Sequence, residues 1–191
     1  TDVAGGAGQM TQVESMEGVH LLPPTEIVDE RGSLAKLIDR GASTLEGYVP
    51  VWRQAFISRT RQRNTVRGLH YQFGEGVEGK MISPLKGRML WVLVDLRCGS
   101  KTFGQWMSSV ISPEMNKSLL VEPRFAHGCY SLTNDVELLI LSDAEAAPEF
   151  SGGIFWNDKG LAIDWPADPK PPIISEAHSA YPAFSAFIRD R

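Results

Sequence analysis

The chain has 191 residues, of which 42% are hydrophobic and 22% charged, the balance of a folded globular domain rather than a disordered chain. Its net charge of −4 argues against nucleic acid and anionic membranes as partners. Cys98 and Cys129 sit outside any C-x-x-C pair, which excludes a disulfide framework or zinc motif and fits free thiols in a reducing compartment. The stretch 1–18 is Gly-rich and polar, and is expected to be a flexible N-terminal segment ahead of a single domain, 19–191. No apolar run reaches the ~18 residues of a membrane span, and no charged region precedes an apolar one, so a cytoplasmic location is expected. A short helical turn is expected at Ser43 to Gly47 and another at Ser175 to Ala180. Strands are expected at Val51 to Ser58, Met81 to Leu85, Met89 to Leu96, Phe103 to Ile111, Ser118 to Val121, Gly128 to Leu132 and Val136 to Leu141. Lys86-Gly87 and Thr133-Asn134-Asp135 read as hairpin turns. Many short strands at this spacing imply an all-β sandwich or barrel. From Glu145 onward the chain carries six of its 12 prolines and reads as an irregular segment wrapped over the barrel.

Several blocks in register carry a family resemblance. Asp29-Glu30-Arg31-Gly32 comes first, then Arg67-Gly68-Leu69-His70-Tyr71-Gln72 and Glu78-Gly79-Lys80. Val94-Asp95-Leu96-Arg97, Thr102-Phe103-Gly104 and Phe125-Ala126-His127-Gly128 follow, with Trp156-Asn157-Asp158 and Ile163-Asp164-Trp165-Pro166 last. In order and spacing they resemble the dTDP-4-dehydrorhamnose 3,5-epimerase family over roughly residues 20 to 185. The resemblance implies an all-β fold, a cupin-like antiparallel jelly-roll barrel with short helices. It implies an isomerase of carbohydrate biosynthesis that inverts carbons near the ketone of a nucleotide-linked 4-keto-6-deoxyhexose. It implies no cofactor and no metal, and a homodimer in which Arg31 completes the partner's site.

The chemistry needs a base, a donor for the enolate oxygen and a proton source opposite the base. By the resemblance His70 is the base, Lys80 steadies the enolate, and His127 is a second pocket histidine. Arg67 and Arg31 hold the diphosphate, where the guanidinium fork suits phosphate oxygens. Gln72 and Arg59 join the substrate-binding set. Gln72 also stands where a metal-binding cupin carries a second histidine, which argues against a metal site.

The chain departs from the family pattern at four places. The family's tyrosine acid falls at Ile140, its base-stacking tyrosine at Glu145, the aspartate that orients the base at His178, and a pocket glutamate at Lys36. A turn at Thr133-Asn134 would put His127 across from Ile140, leave Tyr130 on the other face and make Cys129 a space-filling neighbour. His178 beside His70 would form a histidine pair with a depressed pKa. These departures keep two other readings open: a related cupin enzyme with another nucleotide-sugar or non-nucleotide substrate, and a ligand-binding homologue without turnover.

Arg53, Arg59, Arg61, Arg63 and Arg67 fall within fifteen residues, with no acid between Glu46 and Glu75. In a regular strand their odd numbers would share one face. The expected partner of this cationic strip is a small anion, a nucleotide diphosphate sugar. Arg67 and His70 have opposite parity, and a bulge at Gly68 would bring them into one pocket.

Overall fold

The computed structural model describes residues 12–38 and 47–189. Its strands, in chain order, are β1 (Val19–Leu22), β2 (Thr25–Asp29), β3 (Gly32–Lys36), β4 (Gln54–Thr60), β5 (Val66–Gln72), β6 (Lys80–Lys86), β7 (Met89–Asp95), β8 (Trp106–Ile111), β9 (Ser118–Val121), β10 (Phe125–Ser131), β11 (Val136–Ser142) and β12 (Ser151–Gly153). Two short helices, α1 (Glu176–Ser179) and α2 (Phe184–Arg189), follow. Two five-stranded antiparallel sheets face each other in the orders β1-β9-β6-β11-β4 and β12-β5-β10-β7-β8, and β2 and β3 form a separate hairpin. This is the expected cupin-like antiparallel jelly roll.

Both predicted hairpins are corrected by this topology. β6 belongs to the first sheet and β7 to the second, so Lys86-Gly87 is a crossing between sheets. Likewise β10 pairs with β5 and β7, whereas β11 pairs with β4 and β6. Turn residues mark a reversal of the chain but do not say which strand it then pairs with. His127 therefore lies across from His70 and Leu93, and Ile140 across from Phe56 and Ile82. The two crossings hold each other through Leu132 N–H to Arg88 O and Arg88 N–H to Thr133 Oγ1.

The continuous apolar run of β7 follows from burial on both faces. Its odd residues Trp91 and Leu93 point between the sheets with Ile82, Leu119, Phe125 and Ile140. Its even residues Val92 and Val94 pack under Ile154, Leu161, Ile163 and Phe184, so the proline-rich segment does wrap the barrel. At the other end of the chain, Gln12 and Val13 meet β8 at Trp106, and Met16 lies in the core. The expected helix at 175–180 is α1, while that at Ser43 to Gly47 lies outside the described residues but for Gly47. The arginine run does not share one strand face: Arg59 is in β4, Arg61 and Arg63 lie between the strands, and Arg67 is in β5.

Asp95 ties down the loop between β7 and β8. It is fully buried and accepts the Arg97 amide (2.9 Å) and side chain, Ser100 Oγ (2.6 Å) and Thr102 Oγ1 (2.6 Å). Burial pushes its pKa up, but these donors outweigh it and hold the carboxyl down to about 2. The native chain thus binds this proton less readily than the unfolded one. Its stabilisation is complete above about pH 4 and is lost as the pH falls through 2. Asp95→Asn is expected to cost about 2–4 kcal/mol at pH 7. Denaturant midpoints should differ between the variant and the parent at pH 7 and converge toward pH 2; equal midpoints at pH 7 would contradict this.

Candidate active site

β5 carries a bulge where the sequence places Gly68. Gly128 pairs with Gly68 and His127 with His70, so Leu69 is an extra residue on β5. Gly68 has φ +90°, and a Cβ there would lie 2.2 Å from the carbonyl oxygen of His127 and 2.7 Å from Nδ1 of His70. Only glycine fits. The extra residue resets the alternation. Leu69 packs into the cluster under the wrap, and Arg67 and His70 pair with Cys129 and His127, both on the inner face.

His70 opens onto a cavity of about 320 Å3, also lined by Lys80, Glu78, Gln72, His178 and Tyr181. Its pKa falls to about 3, first because of burial and then because of Lys80, His178 and Arg67. The imidazole is therefore neutral across the physiological range and able to accept a proton. Its Nδ1 is buried without a hydrogen-bond partner.

His178 reaches His70, as expected, but not as a paired donor. The rings stack with centroids 5.7 Å apart. Ser175 caps α1 by accepting the His178 amide, which fixes the turn that presents this ring. The Gly68 amide donates to His178 Nδ1 at 3.1 Å, so that nitrogen is bare and the ring neutral. Burial first, and Arg67 second, lower the His178 pKa. Tyr181 stacks on His178 at 5.2 Å and lies over Gly153, where a Cβ would come within 2.4 Å of its ring.

Lys80 opens β6 and pairs with Glu78. Glu78 Oε2 accepts from Ser142 Oγ at 2.8 Å. Asp143 fixes the approach to this pair: its Oδ1 accepts the Gly79 amide and its Oδ2 the Tyr48 hydroxyl, both at 2.6 Å.

The remaining expected site residues lie elsewhere. His127 is buried against the Trp91 ring, with both nitrogens unpartnered, and does not line the cavity. Burial, Lys80 and His70 push its pKa well down. Gln72 lines the cavity, but its amide spans Gly76 O (2.9 Å) and the Ala147 amide (2.8 Å), which makes it a loop clamp. Arg67 is exposed, does not line the cavity, and donates to Thr60 Oγ1 and Arg59 O. Arg59 turns outward to Glu137. Arg31 is on the β2–β3 hairpin, 85% exposed, paired with Asp29 and away from the cavity of its own chain.

Of the positions that depart from the family, Ile140 is buried between the sheets, Glu145 and Lys36 are exposed, and Cys129 fills the core with its thiol pushed up to about 12 by burial. Tyr130 faces away, its hydroxyl on Asn64 (2.8 Å). Sequence reasoning assigned no role to Glu78 or Tyr181. The signal for Glu78 was its alternation with Lys80, and for Tyr181 its place three residues after His178.

A neutral imidazole beside an ammonium group suits removal of a proton next to a carbonyl. No cluster of three or more His, Cys, Asp or Glu able to hold a metal occurs among the described residues. The fold and this site define a carbohydrate epimerase of the cupin type.

The family model described as dTDP-4-dehydrorhamnose 3,5-epimerase matches residues 14–186, and the chain belongs to that family. A dTDP-4-dehydrorhamnose 3,5-epimerase of Salmonella typhimurium is 32% identical over 163 residues, 85% of this chain and 88% of that one. The structure of a dTDP-6-deoxy-D-glucose-3,5-epimerase of Legionella pneumophila, in complex with dTDP-4-keto-L-rhamnose, superposes with a TM-score of 0.77. It is 30% identical and covers 87% of this chain and 93% of that one. A 3'-monoepimerase of Streptomyces bikiniensis, in complex with dTDP-quinovose, gives 0.81 at 27% identity, covering 94% and 90%.

The histidine geometry predicts a titration. The His70 and His127 rings should stay neutral from pH 8 to pH 5, read by side-chain NMR, while unfolded imidazoles protonate near 6.5. Stability should accordingly decline as the pH falls below 6.5. His178→Asp would place a carboxylate beside His70 and should raise its pKa by more than about one unit. A His70 ring that titrates near 6.5 in the parent would contradict this.

Proposed function

We propose that the chain is a nucleotide-sugar epimerase acting on a dTDP-4-keto-6-deoxyhexose. The observation that carries the reading is His70 and Lys80 on one cavity in the fold of this family. His70 removes a proton beside the ketone, and Lys80 balances the charge that develops on the carbonyl oxygen. Arg67, exposed beside the strand that carries His70, binds the diphosphate. We place the enzyme in the cytoplasm, where Cys98 and Cys129 stay reduced. No described helix is long and apolar enough to cross a membrane.

The working form is a homodimer. Every residue of β2 and β3 is exposed in one chain, with Ile27, Val28 and Leu34 among them. An apolar hairpin of this kind needs a cover, and a second copy would bury it while delivering Arg31 to the diphosphate.

Incubation with dTDP-4-keto-6-deoxyglucose in D2O should give deuterium beside the ketone, seen by NMR. His70→Ala and Lys80→Met should each slow it by about 10²–10⁴-fold. Absence of exchange with the parent protein would refute the reading. Stabilisation in a thermal-shift series by a ligand without thymidine, and none by dTDP, would instead indicate another nucleotide.

Arg31→Ala mixed with His70→Ala tests the dimer. In hybrid dimers one of the two sites has every native residue, so a random mixture of the two weak variants should recover about a quarter of parental activity. Activity equal to the mean of the two variants would place Arg31 outside the partner's site.

A further inference from the structure

We propose that Glu78 carries the second proton of the reaction, on the wall of the cavity opposite His70. The inference rests on the epimerase reading above and adds a catalytic residue to it. Inversion at carbon requires that a proton leave one face and another arrive on the opposite face. A side chain on the cavity wall across from the base is placed to deliver that second proton.

The ionisable side chains that line the cavity divide by origin. His70 and Tyr71 come from β5, and His178 and Tyr181 from the C-terminal segment. His178 stacks on His70 and Tyr181 on His178. Tyr181 lies over Gly153, the strand partner of His70, so this ladder lies on the base's side. The Tyr71 ring packs edge-on against Phe187, toward the wrap. Glu78 and Lys80 enter from the other sheet, at the start of β6.

The placement of Glu78 is built rather than incidental. Its side chain is 13% exposed and that of Lys80 10%. One carboxylate oxygen meets Lys80 Nζ, and the other takes the Ser142 hydroxyl. Ser142 follows Ile140 by two residues on β11 and shares its face. It pairs with Lys80 on one side and Gln54 on the other, two residues that line the cavity. The carboxylate is thereby held one same-face step from Ile140, whose side chain has no proton to give. A surface pair of this kind would be worth little and would explain nothing more. Here the pair faces a cavity that contains a base.

The step balances as follows. His70 takes the proton from the carbon beside the ketone, and the C–H electron pair moves into the enolate. A proton passes from Lys80 Nζ to Glu78 and from Glu78 to the same carbon on its other face. An N–H bond breaks, an O–H bond forms and breaks, and the enolate's electron pair makes the new C–H bond as the carbonyl re-forms. Imidazolium and neutral amine remain, and a proton passed between them through water restores the starting state.

Glu78→Gln can still accept from Lys80 through its amide oxygen and donate to Ser142 Oγ through its amide nitrogen, but cannot carry a proton. With dTDP-4-keto-6-deoxyglucose in D2O, NMR separates deuterium in sugar of unchanged configuration from deuterium in inverted sugar. Glu78→Gln should lose at least about 100-fold in inversion. It should retain exchange at unchanged configuration within about threefold of the parent, which is the readout that a merely structural role would not leave standing. Glu78→Asp should recover part of the inversion. Inversion at the parental rate in Glu78→Gln would overturn the assignment. So would parallel loss of exchange and inversion. A parent protein that exchanges no proton at all overturns the epimerase reading itself, which is a different result from an exchanging parent with an indifferent Glu78.

Discussion

The site depends on one close approach, the passage of β5 against β10 at Gly68. Here the backbone of one strand lies where a side chain of the other would be, and a Cβ would collide with the His127 carbonyl and with His70 itself. That approach sets three things at once. It inserts Leu69 as a bulge and sends it under the wrap. It returns His70 to the inner face, on the same side as Arg67. It also leaves the Gly68 amide free of the ladder, and His178 accepts it. His70, Arg67 and His178 are therefore placed by a single backbone irregularity.

The jelly-roll topology supplies the second wall. Because β5 and β6 lie in different sheets, His70 on one sheet faces a cavity that Lys80 and Glu78 enter from the other. The charges of the two walls differ. The His70 wall is neutral, since burial and the nearby cations keep His70 and His178 unprotonated. The opposite wall holds an ammonium and a carboxylate in contact. On the proposed reading, negative charge that forms on a sugar oxygen between them is compensated at Lys80.

Some of this was legible in the sequence and some was not. The run from Met89 reads as a strand because both of its faces are buried, and the bulge could be placed only because the family resemblance puts Arg67 and His70, of opposite parity around a glycine, in one pocket. β5 itself is hard to see as a strand, since that same bulge breaks its alternation. β2 and β3 carry no buried face in one chain, so they leave no apolar period to read. β12 is Ser-Gly-Gly and has no propensity signal at all. The pairing of β10 was misplaced because a polar turn looks alike whether it closes a hairpin or crosses between sheets. Within the site, motif matching found His70 and Lys80 and the spatial partner His178. It passed over Glu78, whose meaning comes from Ser142 on a strand far along the chain.

The central claim is that an uncharged His70, held by the Gly68 bulge, is the group that takes the proton. The pH dependence of deuterium wash-in at the carbon beside the ketone tests it most directly. The account predicts a rate that is level from pH 8 to pH 5 in the parent, with no break near 6.5, and that collapses in His70→Asn at every pH. A rate that falls by half near pH 6.5, or that survives the loss of His70, would contradict it.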